Sequence, residues 1–154
     1  MVPWSEFAAA EPEIAAAGRR LLEDAPGVPT VAFLATVAAD GRPRIHPVVV
    51  ACVAGRLWAF VTDSPKQRDL DRSRWYAIHS TLGPSDESFL VSGHAARAVD
   101  EAERALVAAQ MPFGGIDARH VLYEFRLDRA LWTAWTTPTT PVHRTWASGA
   151  TRAR

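Results

Sequence analysis

The residues best placed to do chemistry fall in one stretch, Val61-Thr62-Asp63-Ser64-Pro65-Lys66-Gln67-Arg68-Asp69-Leu70. Val61 and Thr62 finish an apolar, β-rich run. Ser64-Pro65-Lys66-Gln67 then reads as a helix start, with Ser64 at the N-cap, Pro65 at the first helical position and Gln67 completing a capping box. A helix start carries free N–H groups and the positive end of the helix dipole, and Lys66 and Arg68 add full charges to its first turn. Basic residues are favoured in the last turn of a helix, so charge at this end suits a docked anion, most simply a phosphate. A solvated helix whose Lys66 and Arg68 pair with Asp69, Asp71 or Glu87 fits the local pattern equally well.

Other conspicuous side chains carry weaker signals. His46 precedes Pro47 and sits among apolar strand residues. His79 and His94 fall on adjacent predicted strands, but no His or Cys spacing resembles a metal site, and none is expected. Cys52, the single cysteine, lies in Val48-Val49-Val50-Ala51-Cys52-Val53 and reads as a small buried side chain. Of the six tryptophans, Trp132 and Trp135 flank the end of a strand, where core packing, a subunit interface or stacking on a ligand from a partner subunit all suit them.

The elements that must position these groups belong to one domain, expected over residues 1–146, with a disordered tail over 147–154. Basic and acidic residues balance at 17 each, which excludes a bulk field for nucleic acid or an anionic membrane, so any anion site must be local. No apolar run approaches the roughly 20 residues of a membrane span. The start, Met-Val-Pro-Trp-Ser-Glu-Phe, lacks a basic region and an apolar stretch, and a cytoplasmic protein is expected.

Trp4 to Asp24 reads as an N-terminal helical region divided at Pro12. Thr30 to Val37 is a β-branched strand, Ala39-Asp40-Gly41-Arg42 a hairpin turn, Pro43 to Val53 a second strand and Arg56 to Thr62 a third paired with it. After the Ser64 helix come a strand from Arg74 to Ser80 and another through Phe89 to Ala96, whose Gly93 marks a close approach. Asp100 caps a helix to Gln110. From His120 to Asp128 apolar and polar residues alternate, Ala130 to Thr136 returns as a further strand, and an extended segment runs to about Trp146. Six or seven short antiparallel strands, an N-terminal helix and two helices inserted between strands make a mainly β, α+β chain that closes most economically as a small barrel.

Ala35-Thr36-Val37, Asp40-Gly41-Arg42-Pro43-Arg44-Ile45-His46-Pro47-Val48, Gly55-Arg56-Leu57-Trp58, Ser64-Pro65-Lys66-Gln67-Arg68-Asp69-Leu70 and Phe89-Leu90-Val91-Ser92-Gly93-His94-Ala95 together resemble the FMN-binding split β-barrels related to pyridoxamine 5′-phosphate oxidase. The resemblance covers roughly residues 30–136. It implies a homodimer with FMN at the subunit interface and a two-electron flavin oxidoreductase acting on a small molecule. Ser64, Lys66 and Arg68 would meet the phosphate. Arg44 and His46 would lie by the ring and Val61 and Thr62 would flank it, with Pro47, Val48 and Trp132 as further candidate cofactor contacts. Val48, Val50 and Trp58 offer the apolar surface a flavin ring needs. Pro65 stands where such proteins often carry a basic residue, leaving Lys66 and Arg68 to supply charge. Arg144 is the nearest match to the family's C-terminal phosphate-gripping arginine. A 5-deazaflavin with a longer acidic tail, served by Arg42, Arg44 and Arg68, is an alternative cofactor, and a flavin- or haem-binding module without turnover is an alternative role.

Overall fold

The computed structural model describes residues 1–149. Pro12 divides the N-terminal region as expected, into α1 (Trp4–Ala10) and α2 (Pro12–Leu21). A two-stranded ribbon follows, β1 (Glu23–Ala25) and β2 (Val28–Pro29), turning at Gly27 with φ near 80°. The main elements are β3 (Val31–Val37), β4 (Pro43–Val49), β5 (Ala51–Val53), β6 (Arg56–Thr62), α3 (Pro65–Ser73), β7 (Trp75–Ser80), β8 (Ser88–Arg97), α4 (Glu101–Ala108), β9 (His120–Thr137) and β10 (Thr140–Ala147).

Eight strands form one antiparallel sheet in the order β4-β3-β7-β8-β9-β6-β5, with β10 on β9. The two ends of that order are consecutive in the chain, separated only by Val50, so the sheet curls round and is closed covalently. The expected single strand from Pro43 to Val53 therefore breaks at Val50. Its first part pairs with β3 and its last three residues with β6, because one strand turns the corner from one sheet end to the other. No ladder joins β4 to β6 among the described residues, and the barrel is split there.

The other departure is β9. Two strands were expected on either side of Asp128–Ala130, where one 18-residue strand runs unbroken. No Gly, Pro or Asn interrupts that stretch, and Asp128 is held by the Ser148 amide and hydroxyl, each at 2.8 Å, which ties the returning β10 against it. The bend a barrel needs is carried by β8, whose register shifts between Ser92 and Gly93.

Packing follows the alternation of the strands. Phe7, Ile14, Leu34, Leu57, Ile78, Phe89, Phe125 and Leu127 fill the main core beneath α1 and α2. The opposite side chains of β6, Trp58 and Phe60, pack with Val107, Met111 and Leu122 beneath α4. Asp100 caps α4 by accepting the Glu103 amide at 2.8 Å. The outward side chains of β3, β4 and β7 stay bare: Phe33 is 43% exposed, Ile45 70% and Trp75 51%. Cys52 is only partly buried, yet burial lifts its thiol pKa to about 11, so it remains a thiol. No helix among the described residues is long and apolar enough to cross a membrane.

Gly93 has the close approach expected of it. A Cβ there would lie 2.0 Å from the Arg126 carbonyl oxygen and 3.0 Å from the Asp128 nitrogen, both backbone atoms that cannot swing aside. Gly93→Ala is expected to lower the unfolding free energy by about 2–3 kcal/mol in a urea titration. An unchanged midpoint would mean that β8 and β9 do not approach as described.

Candidate functional site

The split between β4 and β6 and the start of α3 meet at one place. β6 ends at exposed Thr62, the chain turns through Asp63 and Ser64, and Pro65 opens α3. Ser64 occupies the N-cap in extended backbone but caps nothing, because its hydroxyl donates to the Thr62 carbonyl at 2.8 Å. The expected Ser64–Gln67 capping box is therefore absent, and no side chain accepts from the first-turn amides at the cap. Those N–H groups carry the positive end of the dipole at the corner where Thr62 and Lys66 line the split.

The basic residues around this end are unequally occupied. Arg42 is bound by Asp40 at 2.5 Å and Arg68 by Asp63 at 3.2 Å, both pairs on the surface. Arg44 lies 3.6 Å from Asp69. Asp69 itself is buried on α3, where it accepts the Thr36 hydroxyl at 2.9 Å and Arg72 at 3.3 Å, and Arg72 also donates to the Val37 carbonyl. This group locks α3 onto β3 and β4 and absorbs the positive charge of two arginines. Lys66 has no acidic partner among the described residues, and its half-burial lowers its pKa.

His46 stands next to that free cation. Arg44, His46 and Val48 alternate onto the side of β4 that faces α3, opposite Thr36, Leu34 and Ala32 of β3. The His46 Nε2 atom is buried without a hydrogen-bond partner. Burial first, then Lys66 and Arg44, lower the His46 pKa, against a smaller pull from Asp69. An unpaired cation, an orphaned imidazole nitrogen and uncapped amides thus converge, and such groups call for a ligand that accepts from them.

A groove of about 290 Å³ opens beside them. Pro47, Val48 and Val49 form one wall, Phe60 and Thr62 the other, and Lys66, Phe113 and His120 complete the rim. Its walls are apolar, and the unpaired edge of β4 adds backbone donors and acceptors. A larger cavity, about 750 Å³, lies elsewhere, between α2, the β1–β2 ribbon and the loop at Leu82. The arginines on its rim are neutralised, Arg19 by Glu23 at 2.9 Å and Arg20 by Glu87 at 2.8 Å, so it has size but no free charge.

Of the residues anticipated from sequence, Pro47, Val48, Thr62 and Lys66 line the groove, and Arg44, His46 and Ser64 surround its charged end. The Val61 side chain is wholly buried in the main core, which leaves only its backbone to flank a ligand. Arg68 is turned to solvent with Asp63. Trp132 lies towards the far end of β9 from His120, opposite Phe89 and against the main core, so it is not beside Lys66 in the same chain. Phe60, Phe113 and His120 were not anticipated. His120 reaches the groove because it is the cross-strand neighbour of Thr62, a pairing between segments about sixty residues apart that local pattern does not display.

No protein-family model and no curated protein sequence matches the chain. Solved structures do. A haem-binding protein from Mycobacterium smegmatis is 18% identical with a TM-score of 0.63 over 85% of this chain, which spans 57% of that one. A Clostridium acetobutylicum protein related to general stress protein 26, of the pyridoxinephosphate oxidase family, is 12% identical with a TM-score of 0.60, covering 94% of this chain and 96% of that one. An F420 reductase is 21% identical with a TM-score of 0.57, covering 73% and 94%. At these identities the likeness is one of fold: the chain has the split barrel of the pyridoxamine 5′-phosphate oxidase type.

The electrostatics at His46 give a direct prediction. Its imidazole is expected to titrate below the ordinary 6.5 and to be neutral at pH 7 in ligand-free protein, followed by NMR of the ring protons. Lys66→Ala should move the midpoint upward. A midpoint above 6.5, or one indifferent to Lys66, would separate the two groups.

Proposed function

We propose that this chain binds FMN in the β4–β6 split and works as a homodimeric, cytoplasmic flavin oxidoreductase on a small molecule. The observation that carries the proposal is the unpaired, half-buried Lys66 at the uncapped start of α3, beside the orphaned His46 Nε2. The FMN phosphate suits this corner, taking the Lys66 ammonium and the first-turn amides of α3. The ring suits the apolar strip of Pro47, Val48, Val49 and Phe60, and the free edge of β4 suits its polar rim. When bound, FMN supplies the two-electron chemistry. The chain's own residues hold the phosphate, orient the ring and keep water from one face of it.

Charge balance favours FMN over a deazaflavin with a long acidic tail. Arg42, Arg44 and Arg68, the residues that such a tail would need, already have Asp40, Asp69 and Asp63. Among the described residues around this end, Lys66 is left as a free cation for the phosphate.

A second copy of the chain suits the bare outer face of β3, β4 and β7. Phe33, Ala35, Ile45, Ala77 and Leu90 line an apolar depression of about 360 Å³ on it, with His79 at its edge. An apolar sheet face of this kind marks an interface in soluble proteins. It continues into the groove through β4, since Ile45 and Pro47 are successive outward residues of that strand. A partner seated there adds a wall to a groove that is small for a cofactor.

The protein purified from its host should show a flavin absorbance spectrum and the native mass of two chains, and heat or acid should release a chromophore with the mass of FMN. A deazaflavin or haem chromophore, or apoprotein that FMN does not reconstitute, would contradict the proposal.

A further inference from the structure

His120 takes no part in the phosphate corner described above, yet it shares the groove with Lys66. It begins β9, opposite Thr62, and its ring lines the groove on the side away from β4. Its Nδ1 accepts from the Asp117 amide at 3.2 Å, with the Asp117 carboxylate 3.0 Å away, so Nε2 carries the ring proton and is the atom left to donate to a ligand. The setting is built rather than incidental. Arg104 of α4 donates to the carbonyls of His120, at 2.5 Å, and Asp117, at 2.6 Å, and its guanidinium lies 5.0 Å from the centre of the Phe60 ring in the groove wall. One arginine thereby fixes Asp117, His120 and the groove wall relative to each other.

Charged groups lie around His120 on several elements. Asp117 is paired with Arg119 at 2.7 Å, which holds its carboxyl well below the usual carboxylate range and keeps it ionised. Arg104 approaches from α4, with Asp100 and Glu101 lining the neighbouring hollow on the far side of His120. Lys66 lines the same groove. A phosphate held by Lys66 there would take the ammonium of one residue and the Nε2–H of the other.

We propose that His120, oriented by Asp117, is a second donor to the phosphate held by Lys66. This rests on the reading of the groove as an FMN site.

The test is a fluorescence titration of full-length wild-type, His120→Ala and Asp117→Asn apoprotein with FMN and with riboflavin, which lacks the phosphate. His120→Ala is expected to lose about tenfold in FMN affinity, the strength of a hydrogen bond to a charged group, and none in riboflavin affinity. Asp117→Asn should lose part of that FMN affinity while retaining the imidazole, which keeps the test open should the first variant fold poorly. FMN binding unchanged in both variants would overturn the role of His120 and leave the FMN site standing. Wild-type protein that does not bind FMN would overturn both.

Discussion

The barrel is closed by a covalent corner and not by hydrogen bonds, and the rest of the structure depends on that. At Val50 the chain passes from one end of the sheet to the other, so β4 and β6 are brought side by side without being laddered. Unpaired peptide groups are costly unless water or a ligand meets them. The split therefore has the chemistry of a binding groove wherever its walls are apolar and its ends polar. Here the walls are Pro47, Val48, Val49 and Phe60, and the polar end is the start of α3.

The second constraint is how positive charge is distributed around that end. Asp69, buried in α3, draws in Thr36, Arg44 and Arg72 and so fixes the helix on β3 and β4. A buried carboxylate with three partners is a costly group to disturb, which makes the placement of α3 rigid. The same arrangement removes Arg44 and Arg72 from competition for an anion. Lys66 is left unpaired, half-buried and beside His46, and the hydroxyl that ought to cap the helix is turned back to Thr62. A site of this kind costs stability in the empty protein, which is the expected mark of a group kept for a ligand.

Local patterns made much of this visible. The divided N-terminal helix, the hairpin at Asp40-Gly41, the close approach at Gly93, the Asp100 cap and the helix start at Pro65 are all set by residues within a few positions of one another. What escaped is non-local. The corner at Val50 depends on where both ends of the sheet lie, and the single long β9 depends on β10 and the β8 bulge. His120 and Phe113 enter the groove only through strand pairing and a loop. Ser64 was read correctly as the N-cap position but wrongly as a capping side chain, since its rotamer is decided by a carbonyl two residues back. Trp132 has a place beside the groove only if a partner subunit brings it there.

Lys66 is where fold, charge and proposed function meet. Calorimetric titration of FMN and riboflavin into wild-type and Lys66→Ala apoprotein isolates the contact between its ammonium and a phosphate. If α3 seats the phosphate, wild-type protein prefers FMN over riboflavin, and the variant loses about tenfold or more in FMN affinity while binding riboflavin and unfolding as before. Equal FMN affinity in the two proteins would show that the phosphate, and with it the cofactor, lies elsewhere.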